Sequence, residues 1–348
     1  MGIYDLGLVQ MKKVAIQDAV GLRLCHDITE IREGFKGVAF KRDTVIREED
    51  IGHFLNIGKR HVFVWDDSIK ELHEDDCARR MAAMAETPGA HYEGPAEGKM
   101  LLIADREGLF RVRRELLREI NRIPDITICS LPDHYPVKKG DRLASMRIVP
   151  LVTPEEHILK AEALCKNVRL FEFLPYKPLK TGVIITGSEI FHGRIKDRFE
   201  PVIRAKLRSF PGEMLGAKLC DDDPDMIAGA AESFISQGAS LLIFTGGMSV
   251  DPDDVTPAAV RKLGAEILTH GMPAQPGNMT LLGYLDGIVI LGVPGAAVSR
   301  PVTLLDVLLP QIFAGERFSI EDIRNLAEGG LCQMCVRCHY PNCSFGRY

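Results

Sequence analysis

The sequence lacks any apolar run close to the roughly 18 residues that a membrane-spanning helix needs. Its first twenty residues contain no basic segment followed by an apolar one, so they predict no secretion signal. Strong charge of one sign is also missing, since 43 Lys and Arg stand against 48 Asp and Glu. We therefore expect a cytoplasmic protein that binds neither nucleic acid nor membrane and holds any anionic ligand through local groups.

Two nucleotide-binding fingerprints are absent as well. No GxGxxG follows a strand and no GxxxxGK[ST] occurs, and Ser249 lies in GMSVD rather than in a GxSxG hydrolase turn. The length of 348 residues predicts two or three domains. Composition and the order of the predicted strands and helices divide the chain into a β-rich region (1–66), a mixed α+β region (67–179), an α/β domain (180–316) and a C-terminal helix with a Cys-rich tail (317–348).

Local patterns predict particular elements in the mixed region. The apolar run after Lys99 predicts a strand, and the stripe from Leu109 to Ile120 predicts a helix. A further helix is expected over 154–166, with Thr153 as its N-cap. After Lys180 the predicted apolar strands and amphipathic helices alternate regularly. Helices of this length between strands predict crossover connections and a mostly parallel sheet.

Three strands of this domain end in glycine-bearing turns, within 182–190, 241–257 and 288–299. Ligands bind outside the carboxyl ends of parallel strands, so we expect all three turns to line one edge. Glycines at 187, 246, 247 and 295 would let backbone N–H groups approach a phosphate, with threonine or serine hydroxyls beside two of the turns.

Acidic residues accompany these turns. Asp251, Asp253 and Asp254 follow the second strand, and a second group, 221–223, follows the strand before it. Carboxylates beside a phosphate repel it unless a divalent cation lies between them, which predicts Mg²⁺. Asp223 is expected only to cap a helix, with Pro224 behind it.

Taken together, the three turns resemble the molybdopterin-binding domain shared by molybdopterin adenylyltransferases, molybdopterin molybdotransferases and competence-damage-type pyrophosphatases. The specific segment is TGGMSVDPDDVTP: its GGMSV half is similar to the molybdotransferase motif and DDVTP to the adenylyltransferase RDVTP. More weakly, QDAVGLRLCHDIT in the first region resembles the opening segment of a molybdotransferase. The resemblance implies a three-layer α/β/α domain that binds molybdopterin. Two departures are Ala296, where the family has Asn, and Asn278, where it has Lys.

The resemblance also implies site residues. It assigns catalytic or cation-holding roles to Asp254, Asp222 and Glu189. The residues it implies for binding the cofactor are Thr186, Gly187, Asp197, Thr245, Gly246, Gly247, Ser249, Pro294, Gly295 and Ser299.

Three functions follow from this resemblance. The first is an enzyme of molybdenum cofactor biosynthesis, at a molybdotransferase-like step acting on molybdopterin with molybdate or a nucleotide. The second is a non-catalytic carrier or sensor of the cofactor that docks to a molybdoenzyme. The third is a nucleotide or ADP-ribose pyrophosphatase. In each case we expect a homo-oligomer.

The Cys-rich tail is a separate feature. Cys332, Cys335, Cys338 and Cys343 are spaced by two, two and four residues. Clustered thiols at a terminus are an oxidation liability unless they are liganded, so the spacing predicts a metal site, with His339 as an alternative ligand. Tetrahedral Zn²⁺ and a [4Fe–4S] cluster both fit four thiolates. Metal binding is expected to order this short tail.

Overall fold

The computed structural model describes residues 12–32, 35–64, 71–248 and 254–347. Within these ranges no helix has the length and apolar character required to cross a bilayer. Ser249, Asp251 and Asp253, which the sequence places near the ligand, lie outside the described residues.

The N-terminal region is a small β-rich unit. Its elements are β1 (Lys12–Ala15), β2 (Ile28–Arg32), β3 (Phe35–Phe40), α1 (Ile51–Asn56) and β4 (His61–Val64). β1 pairs with β4 and β2 with β3, both antiparallel. Phe54 and Leu24 are buried in its own small core.

The middle region is mixed α+β. Its elements are β5 (Glu71–His73), α2 (Glu74–Met84), β6 (Ala90–Ala96), β7 (Lys99–Ala104), β8 (Gly108–Val112), α3 (Arg114–Ile120), β9 (Ile126–Ser130), β10 (Tyr135–Val137), β11 (Arg142–Ile148), β12 (Val152–Pro154), α4 (Glu155–Cys165) and β13 (Phe171–Pro175). A four-stranded antiparallel sheet in the order β6-β7-β11-β9 packs against α2, and β8 lies between β10 and β13.

Two sequence expectations fail in this region. The stretch 109–112 is the strand β8, and helix α3 begins only at Arg114. Leu109 and Phe110 are buried between two partner strands, so pairing overrides the helical stripe. Thr153 does not cap α4, since its hydroxyl donates to the Asp125 carboxylate at 2.7 Å.

The C-terminal domain alternates strands and helices. Its elements are β14 (Leu179–Thr186), α5 (Ser188–Phe191), α6 (Phe199–Leu207), β15 (Gly212–Cys220), α7 (Pro224–Ser236), β16 (Leu241–Thr245), α8 (Thr256–Lys262), β17 (Glu266–His270), β18 (Leu281–Leu285), β19 (Ile288–Val293), α9 (Ala296–Ser299), α10 (Leu304–Ala314) and α11 (Ile320–Asn325). The strand order is β15-β14-β16-β19-β18-β17. The first four strands are parallel, and β17 and β18 add an antiparallel edge that sequence reasoning missed.

Alternate residues of the central strands enter two different cores. Val183 and Ile185 of β14 pack with α6 and α10 on one face. Ile184 of the same strand packs with α7 and α8 on the other face. A strand buried on both faces reads as a continuous apolar run, which is how GVIIT reads in the sequence. The domain therefore has the expected three-layer α/β/α architecture with a mostly parallel sheet.

The Cys-rich tail packs on the body of the protein. Phe345 is 2% exposed, and the Tyr340 hydroxyl donates to the Asp306 carbonyl at 2.8 Å. Arg347 lies over the Tyr135 ring of the middle region at 4.4 Å. These contacts correct the expectation that metal alone orders the tail, because its last residues share the core of the C-terminal domain.

Candidate functional site

The carboxyl ends of the parallel strands meet at one edge of the sheet, called the rim below. Thr186 at the end of β14 is in register with Cys220 at the end of β15. Thr245 at the end of β16 is in register with Ile185 on one side and Val293 on the other. The expectation that the three glycine-bearing turns line one edge is confirmed.

The turn after β16 can form only with glycine. Gly246 and Gly247 both have left-handed backbone angles, with φ of +82° and +53°. A Cβ on Gly246 would overlap the carbonyl oxygen of Thr186, and one on Gly247 would come within 2.7 Å of the Thr256 hydroxyl. This turn is therefore folded tightly against the end of the neighbouring strand.

Buried hydroxyls hold the same turn. Thr186 Oγ1 donates to the Thr245 carbonyl at 3.2 Å and lies 3.1 Å from Thr256 Oγ1. Thr256 Oγ1 in turn donates to the Gly246 carbonyl at 3.0 Å. Thr186 and Thr256 are buried, so the Thr186 hydroxyl fixes the turn rather than facing a ligand. Thr256 is the first residue of α8, and Val255 occupies the N-cap position of that helix.

Thr245 differs from its neighbours. Its side chain is fully buried, and its hydroxyl oxygen has no hydrogen-bond partner among the residues that the structure describes. A buried hydroxyl without a partner costs about 1–3 kcal/mol, which marks the end of β16 as locally unsatisfied.

The turn after β14 is tied to the acidic segment after β15. Gly187 has φ of +138°, and the Ser188 amide donates to Asp222 Oδ2 at 2.8 Å. Desolvation raises the pKa of Asp222; the Ser188 amide opposes this, and the charges of Glu189, Asp221 and Asp254 raise it further. Asp222 thus lies within electrostatic reach of Glu189 and Asp254, the other two carboxylates that the resemblance implies for catalysis.

A histidine that sequence reasoning missed borders this cluster. His192 Nε2 lies 3.2 Å from Asp221 Oδ2. The pKa of Asp221 is lowered, first by the hydrogen bond from the Asp222 amide and also by His192. Asp223 caps α7 as expected, because its side chain accepts from the Asp225 amide at 2.8 Å.

The turn after β19 is open. Gly295 has an ordinary helical φ of −54°, and a Cβ built on it meets no atom within 4 Å. Its backbone shape therefore does not require glycine, unlike the turn after β16. Pro294 precedes it at the rim, while Ser299 at the end of α9 is exposed and lines a different cavity.

Asp197 has a structural role at the start of α6. Its two carboxylate oxygens accept from the Phe199 amide at 2.7 Å and from the Glu200 amide at 3.0 Å. Both oxygens are used as a helix cap, so the implied contact with the cofactor finds no support in this geometry.

Met248 anchors the loop that leads out of the second turn. Its side chain is buried against β19, where any side chain at Gly292 would overlap the Met248 sulfur. Its carbonyl accepts from His270 Nε2 at 3.0 Å. Sequence reasoning missed both residues: β17, which carries His270, was not predicted, and the close approach of Met248 to Gly292 of β19 depends on a tertiary contact.

A large cleft lies beside the rim, between the C-terminal domain, the middle region and the tail. Its volume is about 900 Å³, and its wall includes Lys138, Arg208, Ser299, Arg300 and Tyr340. Another of its basic residues, Lys206, is neutralised by an ion pair with Asp306.

The four tail cysteines line one pocket of about 130 Å³. Cys332 is half-buried and the other three are exposed. Across the described ranges of the chain, no three His, Cys, Asp or Glu side chains are grouped closely enough to hold a single metal ion. This applies to the tail thiols and equally to the described carboxylates at the rim.

Two family models match parts of the chain. Residues 182–314 match the model described as "Probable molybdopterin binding domain". Residues 13–66 match a domain of unknown function, DUF8806.

Curated relatives match about half of the chain. A molybdopterin molybdenumtransferase of Synechococcus elongatus is 29% identical over 187 residues, which is 51% of this chain and 43% of that protein. The protein of the same name from Haemophilus influenzae is 28% identical over the same shares. A molybdenum cofactor biosynthesis bifunctional protein of S. elongatus is 32% identical over 146 residues, covering 38% of this chain and 46% of the relative. The chain thus spans less than half the length of each of these relatives.

Among solved structures, the tungsten cofactor synthesizing protein MoaB of Pyrococcus furiosus is 23% identical, with a TM-score of 0.36. The match covers 42% of this chain and 98% of that one. Residues 182–314 match the model of a probable molybdopterin-binding domain, and about half of the chain is similar to molybdopterin molybdenumtransferases.

Proposed function

We propose that the rim binds molybdopterin and that the protein acts in molybdenum cofactor biosynthesis, at a molybdotransferase-like step. The observation that carries this proposal is the meeting of three glycine-bearing turns at one edge of the sheet. Backbone amides at such turns, together with the starts of the helices that follow them, favour an anionic phosphate. The family match over 182–314 supports molybdopterin as the molecule that carries this phosphate.

Of the three turns, the one at Gly295 is the best candidate for direct contact with the ligand. It is exposed and has open space where a side chain would stand. The turn at Gly246 is filled by its own packing against Thr186 and so offers backbone groups only. We therefore propose that the turn at Gly246 keeps the rim rigid and that the turn at Gly295 leaves space for the ligand.

The carboxylates at the rim require a positive partner when an anion binds. Asp222, Glu189 and Asp254 would hold Mg²⁺ together with the ligand's phosphate oxygens. Mg²⁺ commonly takes only one or two protein carboxylates plus phosphate and water, so it does not need three preformed protein ligands. The raised pKa of Asp222 fits such a role, because a cation would relieve the repulsion that its neighbours cause. Bound Mg²⁺ would supply charge neutralisation.

The chain's own residues would contribute positioning and electrostatics. The Ser188 amide holds Asp222 in place, and His192 balances Asp221 on the outer side of the acidic cluster. The His270 contact to the Met248 carbonyl holds the end of the turn that follows β16. Each of these contacts reduces the reorganisation that ligand binding would require.

The test is formation of molybdenum cofactor from adenylylated molybdopterin and molybdate, assayed by reconstituting an apo-molybdoenzyme. We expect activity in the wild type and its loss in Asp254→Asn. The matched control is Asp286→Asn, at the exposed β18–β19 turn on the opposite edge of the sheet. Tight molybdopterin binding without turnover would contradict the proposed enzyme and favour a carrier or sensor of the cofactor. Phosphate release from ADP-ribose would favour a pyrophosphatase.

A further inference from the structure

We propose that the pocket formed by Cys332, Cys335, Cys338 and Cys343 binds a [4Fe–4S] cluster rather than a single zinc ion. This site is separate from the rim and does not depend on molybdopterin binding. The four thiols come from one segment of twelve residues and all line the same pocket of about 130 Å³.

The placement of the thiols around one pocket favours a cluster over a single ion. A tetrahedral zinc ion with Zn–S bonds of about 2.3 Å holds its four sulfurs about 3.8 Å apart. No three metal-binding side chains in the described part of the chain are grouped for a single ion, although all four thiols line one pocket. A four-iron cluster binds one thiolate at each iron, so it needs thiols spread around a central space. The arrangement therefore fits a cluster better than one ion.

The segment that carries the thiols is fixed to the protein at both ends. At its start, the Cys332 amide donates to the Gln275 carbonyl at 2.9 Å. At its end, Phe345 is buried and the Gly346 amide donates to the Gly329 carbonyl at 2.9 Å. These contacts with the rest of the chain hold both ends of the segment, which reduces the ordering cost of binding a cluster.

The surroundings of the pocket suit a cluster with negative thiolate ligands. The Met334 amide donates to Cys332 Sγ at 3.4 Å, and hydrogen bonds to ligand sulfur stabilise Fe–S clusters. Val302 and Phe345 give the pocket an apolar side, and Arg300 supplies a positive charge on its wall. Arg300 and Tyr340 also line the 900 Å³ cleft, so the cluster would lie at the border of that cleft.

The experiment is metal and sulfide analysis of the full chain, purified without oxygen and reconstituted with Fe²⁺, Fe³⁺ and sulfide. We expect four irons and four acid-labile sulfides per chain, with broad sulfide-to-iron absorption and a paramagnetic signal after reduction. One zinc per chain without sulfide would overturn the proposal, and so would a chain that takes up no metal.

A pair of cysteine variants localises the cluster. Cys338→Ser should lose most of the iron and sulfide, whereas Cys129→Ser should keep both. Cys129 is the matched control because it is an exposed cysteine on β9, outside the pocket. Circular dichroism should show both variants folded, since the tail is held by packing that neither change touches. Equal iron content in the two variants would contradict the assignment of the ligands.

Discussion

The backbone amide of Ser188 donates a 2.8 Å hydrogen bond to the carboxylate of Asp222. This bond joins the turn after β14 to the segment after β15, so a residue implied for catalysis also sets the shape of the rim. The same carboxylate has a raised pKa, chiefly from desolvation. Asp222 is therefore held in an environment that disfavours its charge when no cation is present.

This environment predicts a pH-dependent gain of stability in Asp222→Asn. A carboxyl whose folded-state pKa is raised destabilises the fold progressively as pH rises from its unfolded-state pKa to its folded-state pKa, and the penalty is complete above the folded-state pKa. Asn keeps an oxygen that accepts from Ser188 but carries no charge. With a chelator present, we expect the free energy of unfolding at neutral pH to rise by less than about 1 kcal/mol, since the group is only partly buried and solvent screens its charge.

Urea denaturation of wild type and variant, at neutral and at acidic pH, measures this effect. The difference should disappear in acid, where Asp222 is protonated in both the folded and the unfolded state. A variant that is less stable than the wild type at neutral pH would show that the charge of Asp222 is favourable in the fold.

Gly246→Ala should destabilise the protein more than Gly264→Ala does. Both glycines have φ of +82°, so both substitutions bear a similar left-handed strain. Only at Gly246 would the new methyl group overlap a neighbour, the Thr186 carbonyl, whereas the site at Gly264 is open. Thermal unfolding should show a lower midpoint for Gly246→Ala, and equal midpoints would refute the close packing of this turn.

Thr256→Val should cost about 1–3 kcal/mol of stability, because it removes a buried hydroxyl and leaves the partly buried Gly246 carbonyl without its donor. The matched control is Thr127→Val. The Thr127 hydroxyl also donates to a backbone carbonyl, that of Arg147, but it is exposed, so water can replace it. Denaturant titration of both variants checks the difference, and a loss of similar size at the two positions would argue against the buried network.

Tyr340→Phe should loosen the tail without unfolding the domain. It removes the hydrogen bond from the buried Tyr340 hydroxyl to the Asp306 carbonyl, worth about 0.5–1.5 kcal/mol. Hydrogen exchange should quicken in residues 331–347 of the cluster-free protein. Tyr92→Phe removes a similar bond, to the Ala85 carbonyl in the middle region, and should leave the tail unchanged. Unchanged exchange in Tyr340→Phe would mean that other contacts hold the tail.

The parts of the fold predicted correctly from sequence have strong local signals. Apolar runs such as GVIIT, and Asp223 followed by Pro224, determine β14 and the start of α7 with little help from distant residues. The helix predicted over 109–112 was wrong because this stretch pairs with β10 and β13. That pairing is non-local and leaves no periodic pattern in the sequence.

The same distinction applies to the rim. The convergence of the turns follows from parallel topology and was predictable. The contacts that each side chain makes were not predictable. Threonine and aspartate often bind ligands, yet Thr186 and Asp197 make hydrogen bonds within the protein. His270 lies on β17, an antiparallel strand that could be identified only once its partner β18 was known.

The most direct test of the rim is the affinity of molybdopterin for wild type and for Gly295→Ala, measured by calorimetric titration with Mg²⁺. Gly295 has an ordinary φ and open space, so alanine should preserve or slightly raise the unfolding temperature, as Gly229→Ala in α7 should. We predict saturable binding to the wild type and to Gly229→Ala, and at least tenfold weaker binding to Gly295→Ala, or about 1.4 kcal/mol. Equal affinity in all three proteins, or no binding to the wild type, would contradict the account.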